Sequence, residues 1–95
     1  MIDVKALFEK HKNEWEFAKI ANPLHQRPDI CAFLLLDQLA PSRYKNYDMI
    51  VAAEHDQIWL DADIDELAKN ATEDDIITLR RCGVFIDDEH VSMFA

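Results

Sequence analysis

Asp61, Asp63 and Asp65 stand at the 1, 3, 5 spacing of a calcium-binding loop, where convergent carboxylates hold a hard cation. The remainder of such a loop is absent. Position six is Glu66, where the sharp turn needs glycine, and position twelve is Thr72 in place of a bidentate acid. A strand end followed by a helix cap accounts for the same residues. The histidines His11, His25, His55 and His90 form no pair at helical ligand spacing, and neither Cys31 nor Cys82 belongs to a C-x-x-C, so a zinc site would have to assemble from distant segments. His11 falls on an apolar stripe and reads as a core-edge residue. His55, between Glu54 and Asp56, reads as a solvated turn residue.

Cys82 follows Arg80-Arg81 and precedes Gly83. Guanidinium groups favour a thiolate, but the carboxyl end of a helix opposes it, and a nucleophile needs a base and an oxyanion site that nothing nearby supplies. A packed thiol is the better account. The two cysteines read either as one bridge or, without a leader sequence ahead of them, as two buried thiols in a reducing compartment. Gly83 is the only glycine, so no glycine-rich phosphate loop exists and nucleotide chemistry is not expected. Neither a catalytic set nor a cofactor is expected. Trp59 alternates with Ile58 and Leu60 and so has outward parity: it is either covered by neighbouring helices or left among carboxylates as an interface anchor. Trp15 reads as core.

Charge is the other functional handle. Residues 1–47 hold seven Lys/Arg and six Asp/Glu, whereas residues 48–95 hold three against thirteen. The chain's net charge of −9 therefore belongs to its second half. Such a field favours basic partners and opposes direct binding of nucleic acid, which gains affinity by neutralising phosphates with clustered Lys and Arg. The apolar share, 49%, excludes a disordered acidic tail and suits a single domain over residues 1–95. The longest apolar run, Ile30 to Leu36, is far short of a membrane span, so a cytoplasmic chain is expected.

These residues must be positioned by a helical half, 1–54, and a β-α-α-β-β half, 55–95. Apolar spacing at Val4, Leu7, Phe8, His11, Trp15, Ala18 and Ile20 predicts an amphipathic helix of about five turns from Asp3 to Ala21, stopped by Asn22-Pro23. Pro28 to Ala40 is apolar almost all round and reads as the most buried helix, with Asp29 against its dipole. Tyr44 to Glu54 reads as a loop leading to a short helix around Met49 to Ala53, and Gln57 to Asp61 as a half-buried strand. Asp63 and Glu66 form a capping box for a short helix. Thr72 caps another, which ends with Arg80, Arg81 and a left-handed Gly83. Val84 to Ile86 and His90 to Ala95 then form a hairpin about Asp87-Asp88-Glu89. The expected fold is α+β, a helical half on a three-stranded antiparallel sheet of segments 57–61, 84–87 and 90–94. The 28–40 helix crosses one face, and two capped helices lie between the first and second strands.

The stretches Glu54-His55-Asp56-Gln57-Ile58-Trp59-Leu60, Ala71 to Ile76, Arg81-Cys82-Gly83-Val84 and Ser92-Met93-Phe94, covering about the last forty residues, resemble short uncharacterised proteins encoded by temperate bacteriophages and prophages. In the first fifty residues only Phe33-Leu34-Leu35-Leu36-Asp37 is similar. The resemblance transfers no catalytic residue. It implies a bacterial cytoplasmic setting and an accessory phage gene whose product binds another protein. The leading functional expectation is thus a non-enzymatic protein that docks on a basic protein surface, as a nucleic-acid-mimic inhibitor of a host protein. Asp61, Asp65, Asp74, Asp87, Asp88, Glu89 and Trp59 are its candidate contacts. The alternative is a homodimer or small homo-oligomer for assembly or regulation, formed through the first helix or the last strand.

Overall fold

Hydrogen bonding in the second half of the chain builds a sheet of four antiparallel strands, one more than the sequence predicts. The computed structural model describes residues 1–42 and 48–94. Its elements are α1 (Val4–Lys10), one turn of 3-10 helix (Phe17–Lys19), α2 (Pro28–Leu39), β1 (Ile50–Glu54), β2 (Gln57–Leu60), α3 (Ile64–Asn70), α4 (Glu73–Arg81), β3 (Val84–Asp87) and β4 (His90–Phe94). The spatial order is β1-β2-β4-β3. The loop expected over 44–47 and the last residue of the hairpin, Ala95, lie outside the described residues.

The extra strand is the segment expected to be helical around Met49 to Ala53. Ala52 and Ala53 favour helix in isolation, but Ile50 and Val51 are β-branched and the tight connection through His55 and Asp56 folds the segment back on β2. Ala53 then pairs with Ile58 and Glu54 with Gln57. The two capped helices consequently lie between the second and third strands. Register shifts between Ile50 and Ala52, so Val51 is the extra residue of a β-bulge on the outermost strand.

The long first helix is also corrected, because α1 ends at Lys10. Beyond it the His11 carbonyl accepts from Glu14 N at 3.0 Å in a tighter turn and also from Arg80 Nε at 3.3 Å, and the Lys12 carbonyl accepts from Arg80 Nη2 at 2.5 Å. Trp15 is not core: it is 50% exposed and lies flat on Arg80, whose Cζ is 4.2 Å from the ring centre. The apolar spacing up to Ile20 is thus shared between α1 and the 3-10 turn.

Side chains of one sheet face meet the helices. Ile58, Met93 and Val84 lie in one cross-strand row, and Leu60, Val91, Met93 and Val84 join Leu36, Leu67, Ile76 and Leu79 in the core. α4 lies against β3, and α2 packs on α3 and α4 and joins the sheet residues in the core through Leu35 and Leu36. Nor is α2 buried all round: Cys31, Ala32, Leu35 and Leu36 face inward, whereas Leu34 is exposed.

The helix boundaries in the acidic half have local causes. Asp63 accepts from Asp65 N at 2.7 Å, whereas Glu66 turns to Lys69 at 3.6 Å and not back to the cap. Thr72 Oγ1 accepts from Asp75 N at 3.2 Å and Thr72 N donates to Asp75 Oδ2 at 2.9 Å, a reciprocal box. Gly83 leaves α4 at φ +95°, a backbone geometry only glycine takes without strain. No helix among the described residues is long and apolar enough to cross a membrane.

Candidate protein-docking surface

Strand alternation decides where Trp59 goes. Pairing sets Trp59, Ser92 and Phe85 in one row, flanked by Ala52 on β1, on the sheet face opposite the core row of Ile58, Met93 and Val84. Neither Trp59 nor Phe85 belongs to the hydrophobic core. Phe94 shares this outer face, 59% exposed, with its ring 4.6 Å from that of Phe85. Trp59 is half-buried, its flank open over the small side chain of Ala52. With Val51, Ala52, Glu54 and His90 it lines a shallow depression of about 350 Å³. Ser92, between the aromatic side chains in that row, is fully buried.

A second depression, of about 520 Å³, shares Val51 and His90 with the first and adds Leu60, Asp61, Ala62, Asp63, Ile64, Asp65 and Glu89. Here the end of β2, the start of α3 and the β3–β4 turn converge. Asp61 is held by its backbone, N to Met49 O at 2.7 Å, and its Oδ2 is buried with no hydrogen-bond partner among the described residues. Asp65 is exposed in the first turn of α3. Glu89 reaches Lys5 at 3.2 Å, and both of these side chains remain more than half exposed.

The fold thus brings together Asp61, Asp65 and Glu89, with Trp59 next door, out of the residues singled out by sequence. It leaves the other three apart. Asp74 sits in the first turn of α4, and Asp87 ends β3 opposite His90, accepting from Gln57 Nε2 at 2.7 Å. Asp88 lines another groove, with Trp15, Phe85 and Phe94, that shares only Glu89 with the second depression. Among the described residues no Lys or Arg pairs with Asp61, Asp65, Asp74, Asp87 or Asp88. Besides Glu89 with Lys5 and Glu66 with Lys69, the paired acids lie elsewhere: Glu73 with Lys10 and His11, Glu14 with Arg81, Glu9 with Lys12 and Glu16 with Lys19.

Metal and nucleophile chemistry find no footing in these positions. No group of three or more His, Cys, Asp or Glu among the described residues could hold a metal ion, so the 1, 3, 5 aspartates line a surface without converging on a point. Cys31 and Cys82 are both free and buried. Burial pushes the Cys82 thiol well up, and Cys31 beside it pushes further, which disfavours the thiolate. Glu73 is held below the usual carboxylate range, first by the hydrogen bond from His11 (2.7 Å) and then by that from Lys10 (3.0 Å), an arrangement that ties α1 to α4.

Sequence reasoning missed two participants. Val51 lines both depressions because the bulge turns it outward, and the only advance signal was the β-branched pair Ile50-Val51 ahead of a polar turn. The sequence reads Arg80 only as a basic residue in the last turn of its helix. It is in fact 3% exposed, with three backbone carbonyls as acceptors, His11, Lys12 and Val84, and burial lowers its pKa. No protein-family model, curated protein or solved structure matches the chain.

Proposed function

We propose that the protein is a non-enzymatic binding protein whose acidic face docks on a basic surface of another protein. The observation that carries this reading is the gathering of Asp61, Asp65 and Glu89 on one depression that adjoins exposed Val51 and half-buried Trp59. Carboxylates beside an aromatic ring complement arginine and lysine, which gain both ion pairing and a ring face. Asp61 and Asp65, which no described Lys or Arg pairs, raise the rate of encounter with a cationic partner, Glu89 can exchange Lys5 for a cation of that partner, and the apolar centre supplies the contact that lasts. The prophage-like pattern of the last forty residues supports a bacterial host protein as the partner. A basic surface that ordinarily holds nucleic acid is the form of target that such a field would block.

The test compares capture from bacterial lysate by the wild type and by the double variant Asp65→Lys/Glu89→Lys, at low and at raised salt. Both sites are exposed, so circular dichroism and the urea midpoint should show the fold intact. A basic protein captured by the wild type, lost at raised salt and lost with the double variant, is the expected outcome. A partner retained equally by both proteins at all salt concentrations would overturn the electrostatic reading.

Self-association through the last strand is not available in this sheet. β4 is bonded to β2 on one side and to β3 on the other, so it has no free edge.

A further inference from the structure

We propose that the outer edge of β1 receives an extended, basic segment of the partner as a fifth strand. The inference rests on the reading that the partner is basic and assigns the place and the backbone geometry of its docking. Among the described residues β1 ends the sheet and pairs with β2 alone, so the other row of its amide and carbonyl groups faces outward. All five of its residues are exposed, Val51 at 57% and Ile50 at 43%. The protective devices usual on a sheet edge, lysine, proline or an inward-pointing charge, are missing from Ile50-Val51-Ala52-Ala53-Glu54. The bulge at Val51 bends one end but leaves Ala52, Ala53 and Glu54 in regular register.

Side-chain chemistry selects the guest. On the outer face a guest residue opposite Ala52 stands two strands from Trp59, about 10 Å at the usual strand spacing. An extended arginine spans most of that distance and the indole the remainder, and the methyl group of Ala52 leaves the path clear, so the guanidinium can approach the Trp59 ring with Glu54 alongside. Asp48 and Asp56, both exposed, bracket the two ends of the strand. Backbone pairing would supply affinity, and alternate cationic side chains the specificity. A second copy of this chain is disfavoured by the same charges. Antiparallel pairing of two β1 strands centred on Ala52 sets Asp48 against Asp56 twice, between bodies that each carry a net charge of −9.

The probe is an acetylated, amidated octapeptide of alternating arginine and valine, with a control of the same sequence N-methylated at every residue, so that neither edge of the peptide keeps an amide donor. Methylation keeps the charge and removes strand pairing. The protein is followed by backbone amide NMR shifts and by sedimentation. The expected result is saturable binding of the unmodified peptide with shifts concentrated at residues 50–54, at least tenfold weaker binding of the methylated control, and a similar loss with Ala52→Lys, an exposed substitution that obstructs the path to Trp59. Equal affinity for both peptides would overturn strand addition while leaving docking on a basic surface standing. Absence of binding by either peptide would overturn the edge as the receptor, and the lysate comparison judges the wider reading independently. A protein that sediments as a dimer broken by Ala52→Lys would show that the guest is a second copy, and the proposal would fall.

Discussion

Four residues in the described chain hold positive φ, and two of them sit side by side in the β3–β4 turn: Asp88 at 49° and Glu89 at 77°. Paired positive values mark a turn whose twist matches a two-residue hairpin, normally built from Asn-Gly. A glutamate there carries left-handed strain of about 1–2 kcal/mol, set against an exposed ion pair with Lys5 worth little. Glu89→Gly should therefore be more stable than Glu89→Ala by about 1 kcal/mol, since both lose the ion pair and only glycine loses the strain. Urea midpoints of the two variants read this directly, and an alanine variant as stable as the glycine one would show the turn to be relaxed. Gly83 poses the converse case. An added Cβ there would meet only Met93 Cε at 3.9 Å, so space is not limiting and the φ of +95° alone resists substitution. Gly83→Val should cost about 1–2 kcal/mol or more, and an unchanged midpoint would place the end of α4 elsewhere.

Elements were legible in the sequence where one local signal decided them. The Thr72 cap, the acids that follow it and Gly83 bound α4 without help from the remainder of the chain, and Pro28 opens α2. Elements were misread where a distant group decided. β1 is a strand because β2 pairs with it, and the turn that follows α1 is held by Arg80, sixty-nine residues from His11, whose carbonyl accepts from both Arg80 Nε and Glu14 N. The contact between α1 and α4 also makes a pH prediction. His11 and Lys10 hold Glu73 below its ordinary value of 4.5, so this contact stabilises the protein fully above that value and is lost as pH falls through the lower folded-state value. The Glu73→Gln variant should then show a shallower loss of stability on acidification below about 4.5 than the wild type, and parallel curves over that range would exclude the contribution.

At the scale of the molecule, the division of charge between the two halves was fully readable, but the surface it produces was not. The caps at Asp63 and Thr72 were legible, but the ion pairs of Glu73, Glu14 and Glu89 were not, and the edge strand came from a segment read as helix. The uncompensated carboxylates repel one another in the folded state, where a net charge of −9 is confined to a body with a radius of gyration of 12.2 Å. Salt has two opposed actions here. It weakens the surface pairs, worth about 0–1 kcal/mol each and mostly between exposed side chains, and it screens the wider repulsion of an unbalanced surface. Repulsion has the larger reach, because Asp88, Asp65 and Asp74, which no described Lys or Arg pairs, are distributed over the β3–β4 turn, the start of α3 and the start of α4. Raising sodium chloride from low to physiological levels should therefore raise the thermal midpoint, whereas the affinity for a basic partner should fall over the same range. These opposite slopes distinguish a docking surface from a solubility coat: a coat predicts the rise in midpoint alone, and a midpoint that falls with salt would mean that the ion pairs, not the excess acids, govern the electrostatics of the fold.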